Sequence, residues 1–282
     1  MAIYDNLGDR MKDYEARNQY FLQRRTPVAI RVDMKSGHTF TKGFQRPFDE
    51  IFVKSMQQTA KFMCENIQGA VLSFQQSDEI TIILQDYKNL NTDAWFNYRT
   101  DKMCSIAASM ATMAFNKAFE KEIQNFDKEN NLSNFNYFND LTNELTKLHN
   151  TYWTANNKGA MFDARVFNIP KEEVTNLLYW RQLDATRNSI QMVGQANFSH
   201  KELQHKSCND IQNMLLTEKD INWNDYPVDL KRGSCCIKNY TVIDPYGNHK
   251  FIATDDLWVI DHKIPIFKDE GREYIERLIN FY

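Results

Sequence analysis

The sequence predicts an α+β fold of the ferredoxin-like arrangement, β-α-β-β-α-β, followed by a mainly helical C-terminal region. Three observations predict it. Four segments carry strand patterning: PVAIRVD, VLSF, EITIIL and MFDARVFNI. The first and second of these, and the third and fourth, are separated by apolar residues at helical spacing. Only QQSD lies between the two middle segments, which fits a hairpin.

From Pro27 to Asp33 the chain alternates, with Val28, Ile30 and Val32 on one face. A polar loop containing Gly37 and Gly43 leads to PFDEIFVKSMQQTAKFMCENI, predicted as a helix. Pro47 suits its first turn, and Phe52, Met56, Thr59, Ala60 and Met63 recur at helical spacing. The third strand runs from Glu79 to Leu84. A second helix is expected from about Asp93 to Glu120, on an apolar stripe of Met103, Ile106, Met110, Met113 and Ala114. Met161 to Ile169 alternates again as the fourth strand. These elements should place helices on one sheet face and leave the other free for substrate. Residues 1–170 are expected to form this unit, with an Asn-rich insertion at about 121–158. Residues 171–282 should pack onto it as helices, one of them through EEVTNLLYWRQLDATRNSIQMV and a short one after Ser207, with a small strand pair around SCCIKNYTVI.

Composition limits the functional classes. Hydrophobic residues make up 42% and charged residues 25% of 282, a globular balance. No run of 18 apolar residues exists, and the opening MAIYDNLGDRMKDYE is charged, so a cytoplasmic protein without a membrane segment is expected. The five cysteines form no CxxC pair, which argues against a disulfide framework and a thiolate zinc site. A net charge of -3 gives no general field for nucleic acid; such a partner must be held by local patches or by its end.

The chemistry-bearing candidates begin with acids. In the predicted topology the first and third strands are adjacent and central, so Asp33 can converge with Asp78 and Glu79 at one sheet edge. Carboxylates there are hard oxygen ligands suited to Mg²⁺ carried with substrate phosphates. Solvated acids at strand ends give the same pattern. On the second helix Arg99, Lys102, Ser105 and Ser109 lie three or four residues apart, so two cations and two hydroxyls could clasp a triphosphate. A solvated helix face has the same appearance. His38, in the loop after Asp33, is a candidate phosphate or base contact.

The same residues carry a family resemblance. IRVD followed by His38 and Phe40, then FQRPFDE, ENIQGAVLSFQQSDEITIIL, FDARVF, YWRQLDATRNS, KELQHKSCNDIQNML and INWNDYPVDLKRG resemble the tRNA(His) guanylyltransferase family in its bacterial form. The resemblance runs from about Leu7 to Lys238. It implies a polymerase-like palm, two catalytic Mg²⁺ ions, a homotetramer (with a dimer as the fallback) and nucleotidyl transfer in the 3'-to-5' direction onto an RNA 5' end. The 5' phosphate would first be activated with ATP or GTP, after which a nucleotide 3' hydroxyl attacks; other NTPs and tRNA are the remaining partners. Asp33 and Asp78 resemble the metal carboxylates, Glu79 stands beside the latter as in the family's SDE motif, and Met34 occupies the position whose backbone carbonyl joins the metal shell. Lys102 and Ser105, with Arg99 as a further candidate, match contacts to nucleotide phosphates, and His38 and Asp49 match residues near the nucleotide. Asn209 lies in a motif associated with the tRNA side, where Lys201, Lys206, Lys231 and Arg232 supply cations.

The chain departs from the family pattern at Met34, where relatives carry glycine, at Gly37, where they carry an aromatic, and at His205, in a glycine's place. WRQLDATRNS resembles bacterial-type members and implies tRNA 5'-end repair more than strict tRNA(His) selection. Two alternatives accompany this reading. The same palm chemistry could act on another acceptor, such as a free nucleotide, or the chain could be a catalytically silent RNA-binding relative.

Overall fold

The structure, a computed structural model, describes residues 6–132, 144–243 and 250–280. A short helix, α1 (Asn6–Ala16), precedes β1 (Val28–Met34), α2 (Gly37–Phe40), α3 (Glu50–Asn66), β2 (Ala70–Gln76), β3 (Glu79–Leu84), α4 (Thr100–Glu129), α5 (Glu144–Lys158) and β4 (Phe162–Asn168). The C-terminal half adds α6 (Val174–Asn197), α7 (His200–Leu203), α8 (Cys208–Lys219), α9 (Val228–Arg232), β5 (Ser234–Ile243), β6 (Lys250–Asp261) and α10 (Arg272–Asn280). The strands form one antiparallel sheet in the order β4-β1-β3-β2-β5-β6. The first four strands of that order are the expected ferredoxin-like set, and the C-terminal strand pair extends the same sheet beyond β2.

Strand alternation divides the core. Val28, Ile30, Val32 and Met34 of β1, with Ile80, Ile82 and Leu84 of β3, face α3 and α4 and are buried there. Phe40 and Phe44, which follow the first catalytic candidates, lock into this layer. Phe40 meets Phe115 edge-on at 5.6 Å and Phe44 stacks on Phe119 at 5.7 Å, which anchors the loop after β1. The opposite face, expected to be free, is largely covered. Ala29, Val71, Leu72, Phe74 and Ile83 pack against Val174, Leu178 and Ala185 of α6 and Ile275, Leu278 and Ile279 of α10. An apolar half-face on β1–β3 has to be buried, and the amphipathic C-terminal helices bury it.

Three element boundaries differ from expectation for local reasons. α3 starts after Asp49, whose carboxylate accepts from the Phe52 N–H at 2.9 Å, so Pro47 lies ahead of the cap and not in the first turn. α4 starts at Thr100 and not near Asp93, because Phe96, Asn97 and Tyr98 hold φ of 50°, 53° and 57°, a left-handed path no right-handed helix contains. Its buried stripe is Met103, Ala107, Ala111, Ala114, Phe115, Phe119 and Ile123, with Met113 exposed. It also runs on to Glu129, so the first part of the expected insertion is helix continuing α4. The later part is α5, and residues 133–143 between them lie outside the described residues.

Candidate active site

The site is built at the end of β1. Asp33 stands directly opposite Glu79 of β3 on one side and Asp163 of β4 on the other, so the three side chains share a face. Asp78 sits in the two-residue turn joining β2 to β3, beside Ser77, whose φ is 47°. The Met34 N–H donates to the Asp78 carbonyl at 3.1 Å, which ties this turn to the end of β1. Gly37 completes the setting. A Cβ there would lie 2.0 Å from Asp78 Oδ2, so the carboxylate rests in the space a side chain would fill.

Charge around these acids is unevenly compensated. Glu79 is held by Arg181 at 2.7 Å, with Arg31 at 3.9 Å; burial pushes its pKa up and the two guanidiniums oppose this. Arg181 also binds Asp184 at 2.9 Å, and Asp163 has Arg165 at 3.4 Å. Among the described residues neither Asp33 nor Asp78 has an ion-pair partner. Burial, followed by the charges of Asp78, Glu79 and Asp163 and opposed by Arg165, raises the Asp33 pKa to about 6. Arg31 and Arg165 face each other across β1 and β4, two residues from Asp33 and Asp163 along the same face. Acids and arginines therefore alternate on a sheet face that is apolar further along.

The remaining candidates divide. Glu79 is engaged by Arg181 and Arg31, which ties its carboxylate into the charged face beside Asp33. Asp49 is buried and accepts from the Phe52 and Gln45 N–H groups and from the Tyr152 hydroxyl, the last at 2.5 Å. Burial raises its pKa, and its oxygens serve protein donors at the start of α3. His38 is exposed on α2. Met34 is an extended, buried core residue; its backbone does not require glycine's freedom, and its side chain packs away from Asp33. His205, by contrast, holds φ of 62°, the left-handed region where glycine is at ease.

α4 runs alongside β4 in the opposite direction, as the Phe162 N–H to Thr112 Oγ1 and Ala160 N–H to Asn116 Oδ1 bonds show. Cys104 lies beside the Val166 backbone, so the first turns of α4 pack along β4 near Val166. Lys102 and Ser105 are exposed there, with the Lys102 ammonium 5.0 Å from the Phe96 ring and Ser105 Oγ donating to the Lys102 carbonyl. Arg99 pairs with Asp101 at 3.1 Å. α4 packs on the β1 face of Val28, Ile30 and Val32, so these three lie across the sheet from the face that carries Asp33, Arg31 and Arg165. In the C-terminal half Lys201, Lys206 and Asn209 are exposed, and Arg232 leans over the Trp223 ring. Lys231 corrects the expectation of an RNA contact. It is buried, its ammonium donates to the Asn224 carbonyl and lies 5.4 Å from the Trp223 ring, and burial lowers its pKa.

Arg31, Asp163, Arg165, Trp180 and Arg181 join the site without having been candidates from sequence. The signal for the strand residues was present. Arg31 precedes Asp33 by two, and Asp163 precedes Arg165 by two, so each pair had to share a face of an otherwise apolar strand.

The profile of the tRNAHis guanylyltransferase family matches residues 8–170, more than half of the chain. The chain belongs to this family. Its members are nucleotidyltransferases, and the match spans β1 through β4 and includes Asp33, Asp78, Glu79 and Asp163. A bacterial tRNA(His) guanylyltransferase-like protein in complex with ATP is 37% identical, with a TM-score of 0.75 over 97% of this chain and 99% of its own. One in complex with GTP is 34% identical, with a TM-score of 0.72 over 98% and 99%. The Saccharomyces cerevisiae tRNA(His) guanylyltransferase is 26% identical over 221 residues, 73% of this chain and 80% of that protein. Among the described residues no helix is long and apolar enough to cross a membrane.

Proposed function

We propose that the protein is a Mg²⁺-dependent nucleotidyltransferase that adds nucleotides in the 3'-to-5' direction to the 5' end of tRNA, after ATP or GTP has activated the 5' phosphate. The observation that carries this reading is the meeting of Asp33 and Asp78, neither with an ion-pair partner among the described residues, at the end of the strand face that holds Arg31 and Arg165. Such acids favour a hard cation, and arginines two strand residues away favour the phosphates that travel with it.

The fit to Mg²⁺ rests on the donors. Among the described residues no three His, Cys, Asp or Glu side chains close on a metal-sized centre. Two carboxylates and the Met34 carbonyl would instead leave positions for substrate phosphate oxygens and water, as Mg²⁺ requires. The raised Asp33 pKa and the carboxylate seated against Gly37 support the same assignment. Two ions so held supply Lewis acidity at phosphorus and lower the pKa of an attacking hydroxyl.

The chain's own residues bind and orient. Arg31 and Arg165 would receive phosphate oxygens on the face that carries Asp33, Lys102, Ser105 and Arg99 at the start of α4 are the triphosphate contacts that the resemblance implies, and His38 would stand beside the nucleotide. Glu79 and Asp184 hold Arg181 in place on the same face. In the first step an oxygen of the RNA 5' phosphate bonds the α-phosphorus of ATP or GTP and diphosphate leaves. In the second the 3' hydroxyl of the incoming nucleotide bonds the 5' phosphorus, its proton passes to solvent and the nucleoside monophosphate leaves. Lys206, Asn209 and Arg232 would contact the RNA, and the homotetramer is carried by the resemblance. Calorimetric titration with ATP and Mg²⁺ tests the core of this reading. Asp33→Ala and Asp78→Ala should each lose the Mg²⁺-dependent part of ATP binding, and wild-type binding by both would contradict it.

A further inference from the structure

α6 crosses the sheet face that carries Asp33, burying Leu178 and Ala185 and turning Trp180 outward. Trp180 is 53% exposed, whereas Trp95, Trp223 and Trp258 are buried. The ring is nevertheless held. The Arg181 guanidinium lies 4.6 Å from its centroid and that of Arg31 5.8 Å. Arg181 is itself fixed by Glu79 and Asp184, and Arg31 stands two residues from Asp33 on the same strand face, about 7 Å away. A large indole is thus oriented by a charged network that ends at the acids, while half of its surface stays in water.

An indole left in solvent forgoes the burial that usually places tryptophan inside. Ordered by neighbouring guanidiniums, it has the character of a stacking platform. Base–aromatic stacking contributes about 1–3 kcal/mol and tolerates any base, and the flanking arginines match the adjoining phosphates. We propose that Trp180 is a positioning residue whose exposed indole face stacks on a nucleobase, with that nucleotide's phosphates directed toward Arg31, Arg165 and the acids. The proposal rests on the nucleotidyl-transfer reading and names a contact that reading does not require. The base belongs either to the NTP or to the RNA end, and the experiment separates the two.

Tryptophan fluorescence of the full-length protein, with Trp180→Phe as the blank, reads the contact directly. ATP with Mg²⁺, inorganic triphosphate with Mg²⁺, and a 5'-truncated tRNA are titrated separately. Quenching of the Trp180 signal by ATP or by the tRNA, but not by triphosphate, supports stacking and identifies the source of the base. Trp180→Ala should then raise KM for that ligand about 5- to 150-fold with a much smaller change in kcat, and Trp180→Tyr should restore most of the loss. The proposal is overturned if neither base-bearing ligand quenches, or if Trp180→Ala matches wild type in KM. It is equally overturned if Trp180→Ala changes the light-scattering mass and Trp180→Tyr does not rescue KM, which would make the ring a subunit contact. Wild-type transfer with an unaffected Trp180→Ala removes this proposal alone. Quenching by ATP in a protein that transfers nothing to RNA removes the proposed function and leaves the stacking site.

Discussion

Replacing Gly37 by Ala should disable the site while leaving the fold in place. The added Cβ would stand 2.0 Å from Asp78 Oδ2 and 3.0 Å from Asp78 Cγ, where ordinary contact begins near 3.4 Å. The oxygen must retreat by about 1.4 Å, and a misplacement of about 1 Å at a reacting centre can reduce rate about 100-fold. The fold has less to lose. Gly37 does not occupy the positive-φ region, so Ala fits its backbone and restricts the unfolded chain, a gain of about 0.4–1 kcal/mol. The Asp78 side chain, at a turn, can rotate aside. The assay pairs thermal unfolding with transfer of labelled nucleotide in Mg²⁺. Transfer should fall by about 100-fold or more, with stability within about 1 kcal/mol of wild type. Full transfer activity in Gly37→Ala, or a stability loss well beyond about 1 kcal/mol, would contradict this.

Three further outcomes follow from the charge and hydrogen-bond arrangement. Asp33→Asn should abolish transfer yet stabilise the metal-free protein at pH 7–8 by about 1–2 kcal/mol, once solvent screening of the raised pKa is allowed for. Because the folded pKa lies above the unfolded value, the charge opposes folding above about pH 6 and ceases to do so near pH 4, so this gain should vanish on acidification. Chelator-treated samples melted across that range check both points. Tyr152→Phe removes a buried donor to Asp49 and should cost about 1–3 kcal/mol in denaturant unfolding with ATP affinity unchanged. Lys206→Ala should lower the salt dependence of tRNA binding by about one unit of slope, whereas Lys231→Ala should reduce stability and leave that slope alone.

Much of the fold was legible because its signals are local. The alternation in PVAIRVD and MFDARVFNI and the short link between VLSF and EITIIL led to β1, β4 and the β2–β3 hairpin, and hence to Asp33 beside Asp78. The covering of the second face was not legible, since nothing local to α6 or α10 says which distant surface they bury. α4 shows another limit. The expected stripe held Met103 and Ala114 correctly but ran through the exposed Met113, while Ala107 and Ala111 complete the close-packed face. Asp49 and Lys231 look like surface charges in sequence. Each is buried by a partner 103 residues away or 7 residues away, Tyr152 and the Asn224 carbonyl, that composition cannot reveal. The arginines were readable from strand parity, but only once the strand faces were assigned.

On the proposed function, Asp33 and Asp78 support nucleotide addition at a tRNA 5' end. The most direct measurement incubates the protein and Mg²⁺ with labelled NTPs and, separately, intact tRNA, 5'-truncated tRNA, a non-tRNA duplex and free nucleotides. The truncated tRNA should gain the nucleotide complementary to the facing strand, dependent on ATP or GTP and absent in Asp78→Ala. Transfer confined to free nucleotides with every RNA untouched, or undiminished addition by Asp78→Ala, would contradict it.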